Sequence, residues 1–290
     1  YLGIGNEQWD EQYIERYREF EKVLKKNHPE IKIVSGSGPS SAGRMFEYGW
    51  NELRKLSPDL IDEHYYMPPE WFLQNAARYD NYDRNGIKVF AGEYAAHGKE
   101  GADPESRNTW YSALSEAAFM TGLERNADVV HMASYAPLLA HTDAWQWRPD
   151  LIWFDNLKVM GSPNYYVQKI FSNYSGTRIV PALSEGKALS GQNGMYASSS
   201  LDWKKGKLYV KIVNSTDLPV PVRLDLGRLP YTGNAVKQTL KSANKEDFNS
   251  VAGGETVRPL SAPVVLKGRR VDTSIDPLSV NVLIIDIKAR

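Results

Sequence analysis

The sequence predicts a mixed fold, α/β over residues 1–175 and all-β over residues 176–290. In the first region, short β-like runs alternate with amphipathic helical runs, the pattern of a parallel sheet with crossover helices. The strand starts recur every 27 to 42 residues, which is the length of a βα unit. In the second region, alternating apolar and polar runs are separated by Gly, Pro, Asn and Asp, which favours an antiparallel β-sandwich.

The α/β region contains five β-like runs that are rich in Val, Ile and Tyr. They are Tyr1–Gly5, Ile31–Ser35, Leu60–Tyr66, Ile87–Glu93 and Val129–Tyr135. A closed (β/α)8 barrel has eight such strands, so about five βα units correspond to the C-terminal part of a TIM barrel. Because five strands leave an exposed sheet edge, we expect the missing N-terminal part of the barrel to come from the same protein or from another chain.

Two amphipathic helices are predicted between these strands. The first ends at Asn27-His28-Pro29 and has four residues at helical spacing on one face: Ile14, Tyr17, Phe20 and Leu24. The second spans about residues 106–126 and repeats the pattern with Trp110, Leu114, Ala117 and Thr121.

The all-β region follows Tyr174-Ser175-Gly176, after which few helical periods remain. The alternation is clearest in Leu208–Val213, Val220–Leu226 and Leu278–Ile287. We therefore predict a partial TIM-barrel catalytic domain over residues 1–175 and a C-terminal β-sandwich domain over residues 176–290.

The composition argues against several classes of protein. With 35 basic and 35 acidic residues the formal charge is zero, so no net field favours nucleic acid or an anionic membrane. The absence of cysteine excludes disulfides, thiolate metal sites and a cysteine nucleophile. No run approaches the ~18 apolar residues needed to cross a bilayer. The 8 Trp, 17 Tyr and 8 Phe suit stacking on sugar rings, although such residues also fill ordinary cores.

Two glutamates end strands where a barrel presents catalytic side chains. Gly5-Asn6-Glu7 ends the first predicted strand, and Gly92-Glu93-Tyr94 ends the fourth. These strands are three βα units apart, so in a barrel of eight they face each other across the mouth. Glycoside hydrolysis requires such a pair, one carboxyl protonated and the other ionised, and Asn6 could bind the sugar 2-hydroxyl. Either glutamate alone is more simply a helix-capping acid, so the prediction depends on the pair.

Several longer motifs are similar to those of α-L-arabinofuranosidases of glycoside hydrolase family 51. In order, they are YLGIGNE from Tyr1, DEHYY from Asp62, NYDR from Asn81, VFAGEYA from Val89, EAAFMTGLERN from Glu116, ASYAPL from Ala133 and DLIWFDN from Asp150. The resemblance runs to about Ser172 and implies a barrel followed by a β-sandwich. It also implies a retaining hydrolase in which Glu7 is the acid/base and Glu93 is the nucleophile.

The resemblance further implies roles for two residues of the third strand, and the residue types of a later loop suggest sugar contacts. His64 and Tyr66 alternate onto one face of the third strand and are expected near the nucleophile, although His64 could also be a core histidine bonded to a backbone carbonyl. Gln146 and Trp147 lie in the loop after the last barrel strand and suit hydroxyl recognition and sugar stacking. Tryptophan clusters also serve packing, so both interpretations of Trp147 stay open.

The predicted reaction is the release of terminal non-reducing α-L-arabinofuranosyl residues from arabinan- or arabinoxylan-type polysaccharides. It needs no cofactor, and the His and carboxylate spacing shows no metal site. The alternatives are another retaining barrel glycosidase, such as a β-xylosidase or an endoglucanase, and a non-catalytic sugar-binding fragment that uses Trp203 and Tyr209 of the sandwich. A polymeric substrate favours an extracellular or periplasmic location.

Overall fold

Residues 1–97 and 108–289 are described by the computed structural model. The chain forms two compact units, each assembled from several stretches. The first unit comprises Tyr1–Met67, Tyr79–Ala95 and Asn126–Ala136, and the second comprises Pro68–Arg78, Ala96–Arg125 and Pro137–Arg290. The domain boundary predicted near residue 175 divides the chain differently, and it stays a prediction.

The first unit is built on a five-stranded sheet in which each predicted run contains a strand. The strands are β1 (Leu2–Ile4), β2 (Ile33–Gly36), β3 (Leu60–Met67), β4 (Lys88–Ala96) and β5 (Val130–Ala133). They lie in chain order, and β1–β2, β2–β3 and β4–β5 pair in parallel. Parallel pairing places the carboxyl ends of paired strands at the same edge, where polar side chains can meet.

The helices of the first unit are α1 (Asp10–Asn27) and α2 (Arg44–Leu56). α1 ends before Pro29, as predicted, and buries Tyr13, Ile14 and Tyr17 in its first two turns. The prediction that Phe20 shares the buried face is wrong, because the buried contact ends at Tyr17 and the Phe20 side chain is 60% exposed.

The second unit contains the helices α3 (Pro69–Gln74), α4 (Trp110–Arg125) and α5 (Pro163–Asn173), and a short sheet of β6 (Leu139–His141), β7 (Ile152–Phe154) and β8 (Val159–Gly161). It continues with β9 (Arg178–Ile179), β10 (Leu183–Ser184), β11 (Lys187–Ala188), β12 (Met195–Asp202), β13 (Lys207–Asn214), β14 (Val220–Asp225), β15 (Tyr231–Lys241), β16 (Leu260–Pro263), β17 (Leu266–Lys267), β18 (Arg270–Ile275) and β19 (Ser279–Ile287).

These later strands form antiparallel sheets, as the alternation in the sequence predicts. One sheet has the order β16-β15-β19-β13-β12-β9, and a second has the order β14-β18-β17. Alternate residues of β13, Leu208, Val210 and Ile212, join Val271 of β18 and Leu283 of β19 in a common hydrophobic core. The side chains of the two sheets therefore bury one another, which is the architecture of a sandwich.

The helix α4 differs from its prediction as an amphipathic helix. It is buried on nearly every side from Trp110 to Leu123, because it packs against β12 and β13 as well as against other helices. Near its end, Glu124 accepts a hydrogen bond at 2.6 Å from the fully buried ammonium group of Lys211. Among the helices of the described residues, none is long and apolar enough to span a bilayer.

Candidate active site

Glu7 lies in a sharp turn between β1 and α1. Gly5 has a φ of +81° and Glu7 has a φ of +54°, so both adopt the left-handed region. A side chain at Gly5 would be strained by this φ, and its Cβ would also displace the side-chain oxygen of Gln8, which would lie 2.2 Å away. A non-glycine residue in this region costs on the order of 1–3 kcal/mol, so the surrounding contacts must hold Glu7 in place.

β3 supplies two sets of side chains because successive residues of a strand point to opposite faces. Asp62, His64 and Tyr66 share one face, and Glu63 and Tyr65 share the other. The first face carries the contacts to the predicted catalytic glutamates. The second face is fully buried, with Glu63 and Tyr65 both at 0% exposure.

His64 and Tyr66 connect Glu7 and Glu93. The Nδ1 atom of His64 lies 2.9 Å from Glu7 Oε1 and 3.7 Å from Glu93 Oε2. The Tyr66 hydroxyl donates a hydrogen bond of 2.6 Å to Glu93 Oε2. One polar atom from each of Glu7, His64 and Glu93 lies within 4.8 Å of the other two. The structure thus brings four of the predicted residues together at the carboxyl ends of β1, β3 and β4.

The buried imidazole of His64 is held between carboxylates. It is 3% exposed, whereas the side chains of Glu7 and Glu93 are 34% and 30% exposed. Burial alone would lower the pKa of His64, but hydrogen bonds to Asp62 and Glu7 and the nearby charges outweigh it and raise the pKa to about 9. His64 is therefore an imidazolium at neutral pH, and its partners are carboxylates rather than a backbone carbonyl.

Asp62 also belongs to this cluster, although no role is predicted for it from the sequence. Its Oδ2 atom lies 3.2 Å from His64 Nε2, and its Oδ1 atom accepts the Gly92 N–H at 3.0 Å. The sequence does indicate that Asp62 lies on the same face of β3 as His64 and Tyr66, because the three residues stand at alternate positions of a strand. The contact to Gly92 had no such signal, since it depends on how closely β3 and β4 approach each other.

The cluster also has the spacing of a metal site. Within residues 1–97 and 108–289, the His and carboxylate atoms close enough to hold an ion together belong to Glu7, His64 and Glu93. A histidine binds a metal through the lone pair of a neutral ring. Because both nitrogens of His64 face carboxylates and its pKa is raised, the ring favours two protons and offers no lone pair. These groups are therefore better suited to holding a proton on His64 than to binding a metal ion. The expectation that the protein has no metal site stays a prediction.

The other predicted substrate-binding residues lie outside this hydrogen-bonded cluster. Asn6 precedes Glu7 and is exposed, and its backbone N–H donates to the Gln8 side chain. Gln146 and Trp147 belong to the second unit, in the loop between β6 and β7. Gln146 is exposed, and the half-buried ring of Trp147 packs edge-on against His97 with 6.1 Å between centroids. The sugar contacts of these three residues stay predictions.

Two family descriptions match the sequence. Residues 92–279 match "Alpha-L-arabinofuranosidase C-terminal domain", and residues 1–84 match "Alpha-L-arabinofuranosidase 1 domain". The first of these matches contains Glu93, and the second contains Glu7 and His64.

Similar proteins that are named α-L-arabinofuranosidases include a bacterial and a plant enzyme. The chain is 51% identical over 183 residues to an extracellular exo-α-L-arabinofuranosidase of Streptomyces chartreusis, a match of 63% of this chain and 21% of the relative. It is 33% identical over 268 residues to α-L-arabinofuranosidase 1 of Arabidopsis thaliana, covering 89% of this chain and 37% of the relative. The chain thus spans well under half the length of these relatives.

Solved structures with the same fold include complexes with arabinose. An arabinose-bound GH51 α-L-arabinofuranosidase, MgGH51, superposes with a TM-score of 0.82 at 29% identity, covering 95% of this chain and 43% of that one. The arabinose complex of the Thermotoga maritima α-L-arabinofuranosidase superposes with a TM-score of 0.80 at 17% identity, covering 98% and 66%. The second similarity concerns the fold alone.

Proposed function

We propose that this chain, which belongs to the α-L-arabinofuranosidases of glycoside hydrolase family 51, carries both catalytic carboxylates of a retaining, exo-acting enzyme of that family. In this proposal Glu93 is the nucleophile and Glu7 is the acid/base. The observation that carries this proposal is the spacing of the pair, whose oxygens lie within 4.8 Å of each other. Retaining enzymes hold their carboxyl groups about 5–5.5 Å apart, whereas inverting enzymes leave about 6.5–9.5 Å for a water.

In the first step, Glu93 attacks the anomeric carbon while Glu7 donates its proton to the glycosidic oxygen. A covalent arabinosyl ester forms on Glu93, and the bond to the leaving group breaks. The Tyr66 hydroxyl holds one oxygen of Glu93 at 2.6 Å, which leaves the other oxygen for the attack. The roughly one-third exposure of both glutamates gives a sugar access to them.

In the second step, Glu7 acts as a base. It takes a proton from a water that attacks the anomeric carbon, and the ester bond to Glu93 breaks. Two inversions at the same carbon give net retention. The His64 Nδ1–H lies 2.9 Å from Glu7 and stabilises its carboxylate each time Glu7 has released its proton.

The proposed substrates are arabinan- or arabinoxylan-type polysaccharides, from which terminal arabinofuranosyl residues are released. This proposal draws on the names of the relatives, one of which is an extracellular exo-α-L-arabinofuranosidase, and on the arabinose bound in the related structures. By the same comparison we propose an extracellular location. The chain spans 21% and 37% of two such relatives, so we propose that other parts of the protein complete the barrel and the arabinose pocket.

The proposal is tested in the complete protein with 4-nitrophenyl glycosides. We expect cleavage of the α-L-arabinofuranoside, formation first of the α-anomer by proton NMR, and loss of turnover in Glu93→Ala. Cleavage of a β-xyloside in place of the arabinofuranoside would assign the site to a different glycosidase. Sugar binding with no turnover of any glycoside would leave the non-catalytic alternative.

A further inference from the structure

We infer that Asp62 is a positioning residue for both proposed catalytic carboxylates, acting on Glu7 through His64 and on Glu93 through the backbone of Gly92. The inference rests on the proposed function, since it gives Asp62 a part in the same reaction. It extends that function because Asp62 binds the neighbours of the two glutamates and thereby fixes the distance between them.

The carboxylate of Asp62 divides its two oxygens between these neighbours. Oδ2 lies 3.2 Å from His64 Nε2, and Oδ1 accepts the Gly92 N–H at 3.0 Å. The backbone of Asp62 is itself fixed, because its carbonyl accepts hydrogen bonds of 3.0 Å from both the N–H and the hydroxyl of Ser37. A single side chain on β3 thus links the imidazole that contacts Glu7 to the strand that carries Glu93.

Gly92 shows how closely β4 approaches this carboxylate. A Cβ built on Gly92 would lie 2.1 Å from Asp62 Oδ1, far inside van der Waals contact, so any side chain there would displace the carboxylate. The carbonyl of Gly92 accepts a hydrogen bond from the Ser134 hydroxyl. The peptide groups on either side of Gly92 are therefore held by Asp62 and Ser134, directly before Glu93 in the chain.

Asp62 also determines the state of the His64 ring. A carboxylate facing Nε2 requires a proton on that nitrogen, and Glu7 at Nδ1 favours the second proton. Among the residues that the structure describes, the charged and titratable groups around the ring are the carboxylates of Glu7, Asp62 and Glu93, with the Tyr66 hydroxyl bonded to Glu93. With Asp62 in place the ring is an imidazolium whose Nδ1–H points at Glu7.

This arrangement favours the transition state over the resting state. Glu7 gains negative charge as its proton passes to the leaving oxygen, and a donor that is already aimed at its Oε1 atom stabilises that charge without reorganisation. Removing one such preorganised donor in other enzymes lowers the rate by about 10²–10³-fold. The role of Asp62 should therefore be visible in kcat and in the titration of His64 rather than in substrate affinity.

The test compares Asp62→Asn with Asp59→Asn in the complete enzyme. Asp59 is a matched control because it lies directly before β3, three residues from Asp62, and its carboxylate likewise accepts a backbone N–H, that of Ile33 in β2, at 2.8 Å. An amide at position 62 can accept from Gly92 but then presents an NH2 group to His64 Nε2, which disfavours the second ring proton. We expect Asp62→Asn to lower kcat by about 10²-fold or more with little change in KM, and Asp59→Asn to keep kcat within a factor of three.

A second measurement separates this role from a loss of stability. We expect the NMR titration of the His64 ring, assigned with His64→Asn, to give a pKa near 9 in the wild type. In Asp62→Asn this pKa should fall, because the neutral amide at position 62 no longer stabilises the imidazolium. Equal losses in both Asp variants, or an unmoved His64 titration, would overturn the inference. Wild-type turnover in Glu93→Ala would instead overturn the proposed function.

Discussion

The two faces of β3 hold carboxylates in contrasting ways. On one face, Asp62 is 23% exposed and its oxygens bind the ring of His64 and the backbone of Gly92. On the other face, Glu63 is fully buried and accepts hydrogen bonds from the side chains of Trp50, Tyr65, Tyr79 and Tyr82.

The difference in exposure distinguishes a candidate catalytic site from a structural hydrogen-bonded cluster on the same strand. Side-chain donors surround the carboxyl group of Glu63, so its oxygens are hydrogen-bonded in a buried region that excludes substrate. The open face leaves Glu7 and Glu93 about one-third exposed and concentrates charge around one protonated ring. We therefore expect changes on the open face to affect catalysis and changes on the buried face to affect stability.

The largest effect is expected for Glu93→Gln on the open face. The amide cannot form the arabinosyl ester, so kcat should fall by at least about 10⁴-fold while the melting temperature changes little. Steady-state kinetics and calorimetry of the complete protein check both quantities. A melting temperature that falls in parallel with kcat would contradict the separation of the two faces.

The next largest effect is expected for Glu63→Leu on the buried face. It leaves the indole N–H of Trp50 and the hydroxyls of Tyr79 and Tyr82 without their acceptor, at a cost of about 3–5 kcal/mol in the free energy of unfolding. Denaturant unfolding measures this change, and Glu63→Gln is the control, because a glutamine keeps the shape and one acceptor. An unchanged midpoint in Glu63→Leu would show that the cluster contributes nothing to stability.

A third prediction concerns Glu116, which is as buried as Glu63 but lies in the second unit. Burial raises the pKa of Glu116 to about 8, although the hydrogen bond from the Ala96 N–H and the nearby amide of Asn164 oppose the rise. A carboxyl with a raised folded-state pKa contributes stability that is fully present below about pH 4.5 and is lost as the pH rises through about 8.

Glu116→Gln should therefore flatten the dependence of unfolding free energy on pH over this range, by a few kcal/mol at its alkaline end. Denaturant titrations at pH 5 and pH 8.5 would measure it. The same slope in the wild type and in Glu116→Gln would contradict the raised pKa.

The smallest effect is expected for Tyr66→Phe. It removes the 2.6 Å hydrogen bond to Glu93 and keeps the ring. Hydrogen bonds to charged groups contribute about 1.5–3 kcal/mol, so kcat/KM should fall by roughly 10- to 100-fold with unfolding unchanged. A loss of stability without a loss of kcat/KM would place Tyr66 with the buried cluster instead.

Local periodicity predicted much of this molecule. The five-stranded sheet and its parallel strand pairs follow from βα spacing. Glu7 and Glu93 are predicted as a pair because the strand ends of a parallel sheet share one edge. The alternation of His64 and Tyr66 placed both on one face of β3. These features depend on sequence distances within one or two elements.

Features that depend on tertiary approach could not be predicted in this way. The contact of Asp62 with Gly92 requires β3 and β4 to approach within a distance that admits no side chain. The exposure of Phe20 depends on how far the buried contact of α1 extends, and helical spacing does not encode it. The burial of α4 on nearly every side depends on β12 and β13, which lie far along the chain.

The most direct test of the catalytic pair is to trap the covalent intermediate. Glu7→Ala slows the second step, so an activated aryl α-L-arabinofuranoside should load the complete protein with one arabinosyl group. Peptide mass spectrometry then locates the ester. We predict that it lies on Glu93; an ester on a different residue, or β-arabinose released without any covalent adduct, would contradict the assignment of Glu93 and Glu7.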